Sequence, residues 1–207
     1  MSLIRKTAGI WGPIGFCGAA AVAARHQPGY AHISHHVSGL AARGERSARV
    51  MIPGFLVLGI SSLLMPAPNV ALARMARVAG TTAIAAGLIQ VSEPRCPQPG
   101  HDPSATSSDV GHGLASIATF VLWTAMPFVA RRHSGPSWYR LFNGVLGVAT
   151  LAALVAAGST ARAESSHKGL VQRAFLGVVF AWHVATAIVT ITKPARLIGS
   201  NADPGCS

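Results

Sequence analysis

The 207-residue chain is strongly apolar, because half of its residues are hydrophobic, 22 are glycine and only 11% are charged. Soluble proteins carry about 25% charged residues, so this composition argues against an ordinary cytosolic enzyme. The net charge is +11, but the apolar content also excludes a disordered basic tail. The basic residues sit in or beside breaks between apolar runs, whereas a nucleic-acid-binding protein gathers them on one solvated face. We therefore expect no nucleic-acid partner.

Six apolar segments follow one another along the chain, and each is long enough for a helix to cross a hydrocarbon core of roughly 30 Å. They cover residues 7–24, 48–65, 70–91, 110–130, 141–160 and 170–191. The segments lack the period-two alternation of barrel strands, and their recurrent small residues allow close helix packing in lipid. The sequence predicts an all-α integral membrane bundle of six transmembrane helices, forming one domain over residues 1–207.

Two of these segments are weaker as membrane spans than the others. The second contains Pro53, and the third carries Arg74 and Arg77 in its first two turns. Either segment alone could be a buried helix of a soluble protein. The succession of six, with so few charges, favours the membrane.

The orientation in the membrane depends on a narrow difference in charge. Basic residues divide nine against eight between the two sides, so the positive-inside rule barely discriminates. Arg5 and Lys6 precede the first segment and favour an inner or plasma membrane protein with both termini cytoplasmic. Five of the six acidic residues and seven of the nine histidines then fall on the outer side. We expect the chemistry of the protein at that end.

Four short motifs stand near the outer ends of the segments. They are HHVSGL at 35–40, EPRC at 93–96, HGLA at 112–115 and GLVQR at 169–173. In this order they make the chain resemble the bacterial and archaeal membrane family numbered 998 among the domains of unknown function. The resemblance implies a six-helix topology and directs attention to Ser38, Cys96, His112 and Arg173, but it implies no reaction.

Arg173 and His112 are candidate ligand-binding residues, because ionisable groups near membrane depth are costly and often functional. The guanidinium of Arg173 could bind a lipid phosphate in bidentate fashion, with His112 donating or exchanging a proton. Alternatively, Arg173 snorkels to the interface and His112 bonds a loop carbonyl. His35 and His36 are further candidate ligand-binding residues on the same side.

Residues 30–43 have the spacing of an amphipathic helix lying at the membrane surface. On such a helix His32 and His36, four residues apart, would share a face and could bind a metal. No third ligand accompanies them, so a surface or lipid-facing role is the stronger interpretation.

A hydrolytic interpretation makes Ser38 or Cys96 the nucleophile and His112 the base, with Glu93 or Asp109 as the orienting carboxylate. All of these groups fall on the predicted outer side. No GxSxG elbow supports them, and Ser38 could equally cap a helix. The protein is therefore expected to be non-enzymatic, with membrane-embedded hydrolase or transferase activity on a lipid or envelope substrate as the alternative.

The leading functional prediction is an accessory or lipid-interacting bundle with a polar outer mouth built from Ser38, Glu93, His112 and Arg173. Its expected partners are membrane lipids and a membrane protein. No cofactor is expected, because His183 is the only histidine deep in a span and haem between helices usually needs two. A small transporter is the second alternative, and the absence of carboxylates within the spans argues against proton coupling.

Overall fold

A computed structural model describes residues 2–67, 69–92, 106–132, 137–162 and 166–192. Over these residues the chain is helical and contains no strand. The elements are α1 (Leu3–Lys6), α2 (Ala8–Arg25), a 3₁₀ helix (Val37–Ala41), α3 (Ala48–Leu64), α4 (Val70–Leu88), α5 (Ser107–Arg131), α6 (Ser137–Arg162) and α7 (Lys168–Thr192). The six long helices, α2 to α7, coincide with the six predicted segments, which confirms the all-α class.

The six long helices form an up-and-down bundle. Each helix packs against the next one along the chain, and α7 packs against α2, so the helices form a closed ring. Because consecutive helices alternate in direction, the C-termini of α2 and α4 lie at the same end as the N-termini of α3, α5 and α7. Residues 26–47, which we call the cap segment, lie across this end. We call it the capped end.

The bundle is apolar outside and partly polar inside. Exposed side chains on the long helices include Ile14, Val22, Ile60, Leu114, Ile117, Val121, Val148, Val155 and Ile188. Buried polar side chains include Ser61, Ser62, His112, Thr119, Thr124, Asn143, Thr150, His183 and Thr186. Such a surface would be unstable in water and is the arrangement that a hydrocarbon solvent favours.

Within the part of the chain that the structure describes, three helices are long and apolar enough to cross a membrane: α5, α6 over Ser137–Thr160, and α7. Helix α3 is apolar but has 17 residues, and α2 and α4 have 18 and 19 residues. The membrane character of the protein is therefore confirmed. That α2, α3 and α4 also cross the bilayer stays a prediction.

Small residues allow the helix backbones to touch, as their spacing in the sequence predicts. A Cβ atom placed on Gly80 of α4 would lie 2.6 Å from the carbonyl oxygen of Gly59 on α3. A Cβ atom on Gly59 would lie 2.7 Å from the carbonyl oxygen of Gly80. The two helices thus cross at a pair of glycines, which is the packing that membrane helices use in place of the hydrophobic effect.

The predicted interfacial helix over residues 30–43 is wrong. Residues 26–36 form turns and irregular backbone, and a helix of the 3₁₀ type follows at Val37–Ala41. The reason lies in α7, which binds the backbone carbonyl groups of His32, Ile33 and His35. In a helix those carbonyls would accept hydrogen bonds from N–H groups of the same helix, but here they accept hydrogen bonds from α7 instead.

Candidate functional site

The start of α7 is packed directly against the cap segment. A Cβ atom on Gly169 would lie 2.7 Å from the carbonyl oxygen of His32 and 2.8 Å from the amide nitrogen of His35, so only glycine fits there. The next residue, Leu170, donates its N–H to the carbonyl oxygen of Ile33 at 2.8 Å. One of the unpaired N–H groups at the N-terminus of α7 is thereby satisfied by the cap segment.

Arg173 holds the cap segment in place. Its Nη1 donates to the carbonyl oxygens of His32 (2.5 Å), His35 (3.0 Å) and Gly169 (3.0 Å). Its Nη2 donates to the Tyr30 hydroxyl. Burial raises the pKa of this hydroxyl, and the positive charge of Arg173 partly offsets that rise. The binding of a lipid phosphate by Arg173 stays a prediction. The hydrogen bonds observed for its guanidinium all go to other groups of the chain.

The cap histidines are arranged around Tyr30 and not along a helix face. His35 accepts the N–H of Ala31 at its Nδ1 (2.9 Å), and the His32 ring stands edge-on to Tyr30 with centroids 5.4 Å apart. The helical face that was to bring His32 and His36 together does not form. Among the residues described by the structure, no group of three His, Cys, Asp or Glu side chains is placed to hold a metal ion.

His112 is buried in the second turn of α5, with 7% of its surface exposed. Its Nδ1 lies 2.8 Å from the carbonyl oxygen of Ala86 and 3.0 Å from that of Ile89, at the end of α4. Both partners can only accept, so Nδ1 carries the proton and Nε2 is the basic nitrogen. The Ser116 hydroxyl, 3.3 Å from Nε2, then donates to it.

Asp109 caps α5 and does not bond to His112. Its carboxylate accepts the backbone N–H of Thr106 (3.0 Å) and of Ser92 (2.8 Å), as well as both of their hydroxyls. With Thr106 it forms a capping box, which stabilises the first turn of the helix. The other predicted carboxylate, Glu93, and the predicted nucleophile Cys96 lie outside the described residues.

A small cavity of about 30 Å³ lies beneath the cap segment and opens at a mouth. Its polar wall consists of Ser38, His112, Ser116, Thr119 and Gln172, and its other walls are formed by Phe16, Val37, Phe55, Leu58, Ala83, Ala86, Phe120, Trp123 and Leu176. Gln172 is fixed there because its Oε1 accepts the N–H of Val37 at 2.8 Å. The cavity therefore combines an aromatic interior with several uncharged hydrogen-bonding groups.

The structure brings Ser38 and His112 to this cavity, as the hydrolytic interpretation requires. The hydrogen bonds of the His112 ring, however, go to two backbone carbonyls and to Ser116. Arg173 is not among the cavity-lining residues and acts on the cap segment. His183, the residue on which a transport path would depend, is fully buried and is also outside the lining, which ends at Trp123.

A family model described as "Protein of unknown function (DUF998)" matches residues 10–189. The chain belongs to this family. No curated protein and no solved structure shows a significant match to it. The DUF998 assignment confirms the resemblance seen in the sequence and supplies no activity.

Three of the four motifs that carried the DUF998 resemblance meet at the capped end. The motif at 35–40 forms part of the cap segment, and the motif at 169–173 binds it. The motif at 112–115 supplies the histidine that joins α5 to the end of α4. The motif at 93–96 lies outside the described residues. These three motifs of the DUF998 protein thus contribute residues to the walls and the roof of one cavity.

Two features of the site were missed in the sequence. His112, Ser116, Thr119 and Trp123 are spaced by four, three and four residues, which places them on one face of α5. This spacing could have been recognised as a polar stripe facing the bundle. Gln172 stands next to Arg173 in a motif that was noticed, but its contact with the cap segment has no signal in the sequence.

Proposed function

We propose that this DUF998 protein is a lipid-interacting membrane protein that binds part of an amphipathic molecule in the cavity at the capped end. The supporting observation is the composition of the cavity wall, in which aromatic rings and uncharged polar groups face one space. The surrounding membrane is the obvious source of molecules with both characters.

The apolar walls are suited to a hydrocarbon chain. Phe16 and Phe55 stand edge to face with ring centroids 5.2 Å apart, and Phe120 packs on Phe175 at 4.9 Å. Aromatic clusters of this kind are rigid and present much apolar area, which is typical of ligand sites. Trp123 closes the deep end and is itself only 2% exposed.

The polar wall is suited to a neutral polar group such as an ester or a hydroxyl. Ser38 and Ser116 contribute hydroxyls, and Gln172 contributes an amide whose oxygen is already bonded to the cap segment. Of the lining residues that the structure describes, His112 alone has a titratable side chain. A ligand with an ester linkage would find donors at this wall without having to bury an unpaired charge.

Native mass spectrometry of the purified protein tests this proposal directly. The Ala83→Phe variant places a ring in the cavity, because Ala83 lines it and is 3% exposed. Ala71→Phe is the matched control, since Ala71 lies exposed on the same helix, α4. We expect the wild type and A71F to retain a co-purified lipid. The lipid occupancy of A83F should be at least tenfold lower than that of the wild type.

Ala83→Leu introduces a smaller side chain and serves as a second test if A83F misfolds. Its lipid occupancy should fall in proportion to the cavity space that the leucine fills. Thermal unfolding in detergent shows whether each variant is folded. Equal lipid occupancy in the wild type and in a folded A83L or A83F would refute binding in this cavity.

The location in the plasma membrane, the cytoplasmic termini and the accessory role belong to the same proposal. An accessory bundle should leave small residues uncovered for a partner, and Gly18 on α2 and Gly177 on α7 have no atom near an added Cβ. Co-purification of another membrane protein, lost on enlarging these two glycines, would support the partner.

A further inference from the structure

We propose that Ser116 is a nucleophile activated by His112, and that the protein transfers the acyl group of an amphipathic ester held in the cavity. This inference rests on the proposed function, because the same cavity must admit the lipid. It differs from the triads expected from the sequence, in which Ser38 or Cys96 attacked and a carboxylate oriented the histidine. Here the nucleophile lies one turn after the base on the same helix.

The Ser116 hydroxyl differs from the neighbouring helix hydroxyls. Serine and threonine in membrane helices usually donate to the carbonyl one turn back. Thr119 does so to Ala115 at 2.9 Å, and Thr150 does so to Leu146 at 2.9 Å. Ser116 is directed to Nε2 of His112 instead, and it lines the cavity. Its proton is thereby offered to a base on the wall where a ligand would lie.

His112 has the tautomer that a general base needs. The carbonyl groups of Ala86 and Ile89 fix the proton on Nδ1 and leave Nε2 free to accept from Ser116. These carbonyls belong to the C-terminal end of α4, where the helix dipole favours a positive charge. They can therefore orient the ring and stabilise the imidazolium, the two tasks that a carboxylate performs in a serine triad. The distance of 3.3 Å is within the range of catalytic pairs before substrate binds.

Two further groups of the polar wall can serve the developing oxyanion. Gln172 keeps its amide N–H groups for a ligand, because its oxygen is bonded to Val37. Ser38 adds a hydroxyl to the same wall. Donors fixed before the reaction stabilise the charge that forms on a carbonyl oxygen in the transition state.

The reaction balances with water as the second substrate. Ser116 Oγ forms a bond to the ester carbonyl carbon while its proton moves to Nε2 of His112. The bond between that carbon and the alcohol oxygen then breaks, and the proton from Nε2 leaves with the alcohol. Water attacks the acyl-serine in the same way, which releases the carboxylic acid and restores the hydroxyl.

An alkyl fluorophosphonate with a long hydrocarbon chain tests the inference on the full-length protein in detergent. Ser116 Oγ should attack phosphorus and expel fluoride, which leaves a covalent adduct visible in the intact mass and assignable by peptide mapping. We expect Ser116→Ala to abolish the adduct. Ser159→Ala is the matched control, because Ser159 lies exposed on α6 and bonds its own helix at 2.9 Å.

His112→Gln should slow labelling by roughly 100-fold or more if the imidazole acts as the base. His112→Asn removes the imidazole in a second way and should slow labelling as strongly, which keeps the test valid if H112Q fails to fold. An unlabelled wild type, an adduct on another residue, or labelling as fast in a folded H112Q or H112N as in the wild type would overturn the inference. Lipid occupancy that persists in S116A, together with an unlabelled wild type, would leave the binding proposal standing.

Discussion

For two residues at the capped end, the sequence alone could not distinguish a role in ligand binding from a role in holding the fold. Arg173 and His112 were both recognisable as unusual ionisable groups near membrane depth. Whether each binds a ligand or the chain itself depends on which backbone carbonyls lie beside it. The structure places three carbonyls around Arg173 and two around His112. Only His112 also faces a cavity.

The cap segment should loosen when Arg173 is replaced by methionine. The variant removes a charged donor from several carbonyl groups, and charged hydrogen bonds contribute about 1.5–3 kcal/mol each when buried. Since Arg173 is only half-buried, we expect a total loss of about 2 kcal/mol in unfolding free energy. Chemical unfolding in detergent measures this, and hydrogen exchange at the Leu170 and Val37 amides should accelerate.

Arg46→Met is the control for that variant, because Arg46 is an exposed arginine of the cap segment itself. If R173M kept its stability and lost an anionic lipid, the guanidinium would be a ligand-binding group as the sequence suggested.

At the scale of the helices, prediction from sequence succeeded where long apolar runs decide the structure. All six long helices were located, because hydrophobic length is sufficient to identify them. Their starts were less accurate: α5 begins at Ser107 and α6 at Ser137, before the first strongly apolar residues. In α5 the capping box of Thr106 and Asp109 sets the start, and polar capping residues extend a helix beyond its apolar part.

The cap segment shows why the remainder could not be predicted. Its sequence has helical periodicity, yet its backbone is fixed by bonds from α7, more than a hundred residues away. Similarly, the hydrogen bond between Ser116 and His112 depends on the end of α4, which positions the His112 ring. Such contacts between distant elements have no local pattern.

The crossing of α3 and α4 should tolerate no side chain at Gly80. Gly80→Ala brings a methyl group against the Gly59 backbone and should reduce stability by about 1–3 kcal/mol, the usual range for overpacking. Gly18→Ala is matched to it, because no atom lies within 4 Å of an added Cβ there. G18A should be neutral or more stable by up to about 1 kcal/mol, since alanine favours the helix. Unfolding in detergent distinguishes the two, and equal effects would contradict the packing at this crossing.

At the scale of the whole molecule, the apolar outer surface and the polar interior place the capped end at one face of a membrane. Which face it occupies decides which leaflet can supply lipid to the cavity. The charges of Arg5 and Lys6 predict a cytoplasmic N-terminus, and with that orientation the capped end would lie outside. The site would then meet lipids of the outer leaflet.

Single cysteines test this orientation and the number of spans together. In a Cys17→Ser background, Cys96 or Cys206 alone can be labelled with a maleimide that does not cross membranes. We expect Cys96 to react in intact cells and Cys206 to react only after permeabilisation, because α5, α6 and α7 separate them. A third variant, Ser2→Cys on a chain without other cysteines, should behave like Cys206, since α2, α3 and α4 separate residue 2 from residue 96. Residue 2 reacting from the same side as Cys96 would show that α2, α3 and α4 do not all cross. Interchanged reactivity of all three sites would show that the molecule has the opposite orientation. The cavity would then receive lipid from the cytoplasmic leaflet.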